Sequence, residues 1–147
     1  MNLDDLYRRV IMDHYKNPRN RGSFEDDAVK IELNNPTCGD RITLQLKVED
    51  GIVKDARYSG EGCSISMSSA SMMTEAVKGQ TIQHALDLAD RFSCLMKGEA
   101  ADFDDYEDIE ALSGVNKFPA RIKCATLAWN ALRKGIDEEE EEHHQEH

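Results

Sequence analysis

No stretch of this 147-residue sequence approaches the roughly 20 consecutive apolar residues that a membrane-spanning helix needs. The basic start and apolar core of a secretory leader are missing too. Met1-Asn2-Leu3-Asp4-Asp5-Leu6-Tyr7-Arg8-Arg9 sets two acids where basic residues would stand, so the expectation is a soluble, cytoplasmic protein with no membrane partner. Aromatic residues are scarce, at 6%, and the 18 Lys and Arg are scattered rather than gathered in a stripe, which argues against a nucleic-acid binder. No two of the four cysteines form a CxxC pair, so spacing alone gives only a weak metal signal. There is no internal repeat.

A hydrophobic content of 39% at this length supports one domain with a single core and no need of disulfides. The formal charge of -11 is misleading, because seven acids crowd the last eleven positions, and without them it falls to -4. The expected organisation is therefore a domain over residues 1–136 and a disordered acidic tail over 137–147, too charged and too poor in apolar residues to fold. In a reducing compartment four cysteines read as free thiols or metal ligands; paired, they would allow three connectivities.

Leu3, Leu6, Tyr7, Val10, Ile11 and His14 recur at helical spacing, which predicts an amphipathic helix over 3–15 stopped by Asn17-Pro18. Strict alternation from Ile42 through Leu44 and Leu46 to Val48 predicts a half-buried strand. Glu49-Asp50-Gly51 turns it into a second strand over Ile52–Tyr58, and Val29–Leu33 offers a third. After Gly60-Glu61-Gly62 the period becomes helical, with Ile65, Met72, Met73, Ala76 and Val77 on one face and Gly79 as the stop. Further helices are predicted over about Thr81–Lys97 and from Pro119 to Gly135, with an acidic loop and short helix over 99–117. The fold class is α+β: a three-stranded antiparallel sheet with helices packed on one face.

Chemistry concentrates at the ends of these elements. Cys38 and Asp40 flank Gly39 where the chain enters a strand, and a thiol and a carboxylate two residues apart can share one ion. Cys63 stands at a predicted helix N-terminus, where free N–H groups favour a thiolate. Cys124 lies in the second turn of the last helix with Arg121 three residues before it, which would set a cation near that sulfur. Each cysteine taken singly also reads as a small buried hydrophobe. Cys94, inside a helix and off its apolar stripe, reads as a bystander, and His14 as a packed or hydrogen-bonded residue.

Four ordered motifs carry a family resemblance: Asp13-His14-Tyr15-Lys16-Asn17-Pro18-Arg19-Asn20-Arg21-Gly22, Asn35-Pro36-Thr37-Cys38-Gly39-Asp40, Gly60-Glu61-Gly62-Cys63-Ser64-Ile65-Ser66 and Phe118-Pro119-Ala120-Arg121-Ile122-Lys123-Cys124-Ala125. Together they resemble the U-type iron–sulfur assembly proteins over nearly all of residues 1–136. Lys123 stands where the IscU-like scaffolds have a histidine, residues 99–117 look like an extra segment, and the scaffolds' Leu-Pro-Pro-Val-Lys motif is missing. These departures point to the SufU-like branch, zinc-binding partners of SufS-type cysteine desulfurases.

The resemblance implies a Zn²⁺ site of Cys38, Asp40, Cys63 and Cys124, with Arg121 and Lys123 as supporting cations. It implies a sulfurtransferase in which Cys38 accepts persulfide sulfur, freed when a histidine of the partner takes its place on the metal, and then feeds a downstream acceptor such as a Suf scaffold complex. Two rival readings use the same residues. One is a scaffold that assembles a transient Fe–S cluster and passes it on; the other is a purely structural zinc site.

Overall fold

The computed structural model describes residues 3–24, 28–35, 39–99, 103 and 106–145. Helix α1 spans Leu3–Lys16, followed by strands β1 (Val29–Asn35), β2 (Asp40–Glu49) and β3 (Ile52–Glu61). Then come α2 (Ser64–Val77), α3 (Ile82–Met96), α4 (Glu107–Glu110), a 3-10 helix over Ala111–Lys117, and α5 (Pro119–Gln145). The strands form one antiparallel sheet in the order β1-β2-β3, as their alternation predicts.

All three strands overrun the limits that their apolar alternation suggests. The added residues, Asn34, Asn35, Asp40, Arg41, Glu49, Ser59, Gly60 and Glu61, are polar or small, so the hydrophobic period ends before the backbone ladder does. The ladder pairs Asn35 with Asp40 and Arg41 with Glu61, which gathers the ends of all three strands at one edge of the molecule. The inward face, with Ile31, Ile42, Leu44, Leu46, Ala56 and Tyr58 buried, takes α5 against β1 and β2 and α2 against β3.

Helix α2 is not the amphipathic helix that its apolar residues suggest. Every residue from Ile65 to Thr74 is buried, and so are Ala76 and Val77, because α1, α5 and β3 enclose it. Its hydroxyls can be buried because each has a partner. Ser68 donates to Ile11 O (2.7 Å), and Ser69 donates to Ala125 O (2.6 Å) while accepting from the Trp129 indole (3.2 Å). Ser71 meets His14 Nδ1 at 2.8 Å and accepts the Arg19 N–H at 2.9 Å. The other nitrogen of His14 lies 2.7 Å from Asp108 Oδ2, so this buried histidine ties α1 to α2 and to α4, in line with the packing role expected for it.

The last helix differs from expectation. It continues through Gly135 to Gln145, across much of the stretch read as a disordered tail. Gly135 is there for packing rather than for a stop: a Cβ at this position would lie 2.9 Å from Leu46 Cδ1. The glutamates that follow are good helix formers, with no proline among them to end the helix. The short helix expected within residues 99–117 is present as α4, with Phe103, Ile109, Leu112 and Val115 buried around it, while most of the loop expected before it lies outside the described residues. Among the described residues no helix is long and apolar enough to cross a membrane.

Ser69→Ala should leave the buried Trp129 N–H without its acceptor. The expected loss is about 1–3 kcal/mol of unfolding free energy, read from chemical denaturation.

Candidate metal centre

The strand ends and two helix starts converge on a compact donor cluster. Asp40 opens β2, Cys63 is the N-cap of α2 just beyond β3, and Cys124 lies near the start of α5, where that helix crosses the sheet. One carboxylate oxygen of Asp40 and the two sulfurs lie within 4.8 Å of one another. Donors sharing one metal ion at about 2.3 Å can be no more than about 4.6 Å apart, so the cluster is close to formed.

Short-range contacts hold each donor. Asp40 Oδ1 accepts the Cys63 N–H at 2.9 Å, which ties the strand to the helix cap. The sulfur of Cys63 accepts the Ser66 N–H at 3.4 Å and lies 3.7 Å from the Ser66 hydroxyl, so the thiol takes the usual place of an N-cap oxygen. Cys124, 1% exposed, receives the amide of Asn35 at 3.7 Å. Gly62 is required by contact: a Cβ there would stand 2.6 Å from Asp40 Oδ1 and 2.5 Å from Ser66 Oγ. Gly60 is required too, since its Cβ would meet Arg41 O and its φ is +140°.

Residues 6–145 match the profile of the NifU-like N-terminal domain. A Bacillus subtilis protein named zinc-dependent sulfurtransferase SufU is 62% identical over 140 residues, 95% of each chain. This chain belongs to the NifU-like N-terminal domain family. Another relative, the iron–sulfur cluster assembly scaffold protein IscU of Streptococcus pyogenes, is 46% identical over 135 residues, covering 91% of this chain and 84% of that one. A crystal structure from Fervidobacterium islandicum, described as a putative iron–sulfur cluster assembly scaffold protein for the SUF system, superposes with a TM-score of 0.82 at 31% identity. It covers 88% of this chain and 95% of that one.

Within this family fold the structure brings together three of the four expected ligands, Asp40, Cys63 and Cys124. Cys38 lies outside the described residues, but the chain on either side of it is placed. Asn35 accepts a hydrogen bond from the Gly39 N–H at 2.9 Å and faces Asp40 across the ladder. The guanidinium of Arg121 lies over the Phe118 ring, 5.3 Å from the centroid, because a helical side chain leans toward the helix N-terminus. Lys123 is exposed. Cys94 stands apart from the cluster, with its thiol pKa raised by a hydrogen bond to Glu99 and by burial, which suits the bystander role. Asn35 and Ser66 were not singled out by sequence reasoning, since an asparagine before proline reads only as a strand break.

The donor set suits a metal on a structural ground. Asp40 is 1% exposed, and its Oδ2 is a buried side-chain oxygen with no hydrogen-bond partner among the described residues. A buried carboxylate with one unpartnered oxygen and two sulfurs close by is costly alone and well placed around a cation. Gly62→Ala should push Asp40 out of line. The expected result is a fall in metal affinity of about tenfold or more, measured by competition with a chromophoric chelator, with helix content unchanged by circular dichroism.

Proposed function

We propose that this protein is a zinc-dependent sulfurtransferase that accepts persulfide sulfur from a SufS-type cysteine desulfurase for iron–sulfur cluster assembly. The observation that carries this reading is an Asp-Cys-Cys cluster, with Asp40 and Cys124 buried and Cys63 partly buried, in a chain 62% identical to a zinc-dependent sulfurtransferase. Asp40, Cys63 and Cys124 would hold Zn²⁺, with Cys38 completing four ligands. Bound there, zinc would keep crowded thiols deprotonated without changing its own oxidation state.

The chain's own residues divide the work. Asp40, Cys63 and Cys124 sit on a strand, a helix cap and a helix, which fixes them. Cys38, which lies outside the described residues, is taken as the acceptor on the resemblance to the family. Its thiolate attacks the terminal sulfur of the donor's cysteine persulfide. A new S–S bond forms on Cys38, the donor's S–S bond breaks, and the donor cysteine leaves as a thiolate. No net electrons are exchanged, so no oxidant is required. Hydrolysis and further oxidation are limited by the burial of the centre, since Asp40 and Cys124 are both 1% exposed. The sulfur then passes to a cytoplasmic acceptor such as a Suf scaffold complex.

The test is anaerobic purification, metal analysis, and assay with a cysteine desulfurase. The zinc-loaded protein should stimulate desulfurase turnover and gain a persulfide visible by mass spectrometry. Activity confined to an iron–sulfur form would overturn this reading in favour of a scaffold. Cys38→Ala should abolish sulfur acceptance, while Cys94→Ala should keep turnover close to that of the parent protein.

A further inference from the structure

Both described sulfurs of the cluster receive hydrogen bonds, but by different routes. Cys63 caps α2, so an N–H of its own helix, that of Ser66, reaches its sulfur at 3.4 Å. Cys124 lies in the second turn of α5, past the four residues whose N–H groups a helix leaves open. A hydrogen bond reaches its sulfur from another element instead: Asn35, the last residue of β1, donates its side-chain amide to Cys124 Sγ at 3.7 Å.

Asn35 breaks the pattern of its strand. Val29, Ile31, Leu33 and Asn35 alternate toward the core, and the first three are apolar, yet the asparagine is buried and Leu33 only partly so. A buried amide without a partner costs about 1–3 kcal/mol, so a polar side chain at a core position implies something for it to bond. The backbone leaves Asn35 little freedom. It pairs with Asp40 across the ladder, its carbonyl accepts the Gly39 N–H at 2.9 Å, and α5 packs against β1. Helix and strand are held close further along as well, since a Cβ at Gly135 would lie 3.5 Å from Ile31 Cγ1. The strand end that carries Asn35 opposite Asp40 therefore also sets its amide against Cys124.

We infer that Asn35 is a positioning residue of the metal centre, whose amide fixes Cys124 as a ligand that stays on the metal and keeps its sulfur from attacking. The inference rests on the zinc-dependent sulfurtransferase reading and names a thiolate that is held back. An N–H aimed at a thiolate draws on the lone pairs that would attack an electrophile, and it selects one rotamer of the side chain. Both effects keep the sulfur on a cation shared with Asp40 and Cys63. A centre of several thiolates needs such a distinction, because each ligand that reacts is lost to the metal. For Cys63 the damping donor is a backbone N–H, which no substitution removes. For Cys124 it is a side chain, so its effect can be measured.

The experiment uses the full chain loaded with Zn²⁺, and with Co²⁺ as a coloured substitute in the same site. Asn35→Val suits a strand, fills much of the side chain's space and removes the donor, whereas Asn35→Ala removes both. A response shared by two variants that pack differently reports the hydrogen bond. The sulfur-to-cobalt charge-transfer band should move to longer wavelength in each, because the freed lone pairs lie higher in energy. Methylation of Cys124 by methyl iodide in the zinc-loaded variants, located by peptide mass spectrometry, should quicken by about tenfold, while Cys63 keeps its parental rate. A cobalt band at the parental wavelength in both variants, or equal acceleration at Cys63 and Cys124, would overturn the role of Asn35 and leave the sulfurtransferase standing. A parent protein that takes up neither metal would bring down both.

Discussion

The Asp40 carboxylate is the constraint on which the rest of this structure turns. It is buried to 1% exposure at the first residue of a strand, with one oxygen satisfied by the Cys63 N–H, the other without a hydrogen-bond partner among the described residues, and two sulfurs close by. An ionised carboxylate held in a protein interior with no counter-charge costs several kcal/mol, more than one hydrogen bond returns. The arrangement becomes favourable when a cation stands between the carboxylate and the thiolates. Much of the local chain follows from that requirement. Gly62 leaves room for the carboxylate, the helix cap aims an N–H at it, and the pairing of Asn35 with Asp40 brings the amide that meets Cys124.

Helix α2 explains how such a site stays rigid. Its N-terminus carries Cys63, and nearly all of its residues are buried, so this donor is anchored by the core itself. A purely apolar helix could fill that position, but the serines and Thr74 add directional bonds to α1, to the segment after it and to α5. Directional contacts fix the rotation of a central helix in a way that apolar packing alone does not, and rotation is what sets the direction of a cap residue.

Legibility in the sequence followed the physics of each element. The strand from Ile42 to Val48 could be read because one face meets the core and the other does not. The helix after Cys63 could be located but not its burial, because serine reads as a surface residue until its hydroxyl is given a partner. The strand ends were invisible to periodicity because they are polar. They are polar because they build the site. Gly135 misled for a related reason: a glycine chosen for contact with Leu46 looks the same in sequence as one chosen to stop a helix. The clustered donors Asp40, Cys63 and Cys124 were legible from their motifs, but Asn35 and Ser66 were not, since hydrogen bonds to sulfur leave no spacing pattern.

Burial of the donors also sets the direction from which chemistry can reach them. Asp40 and Cys124 are closed off by the sheet and by α5, while Cys63 is only partly buried and follows directly on the open end of β3. Among the described donors, Cys63 is therefore the one most open to a reactant. A centre sealed on all sides would protect its thiolates but accept nothing, and one open on all sides would lose them to oxidation. Setting one half-buried donor beside two buried ones meets both demands.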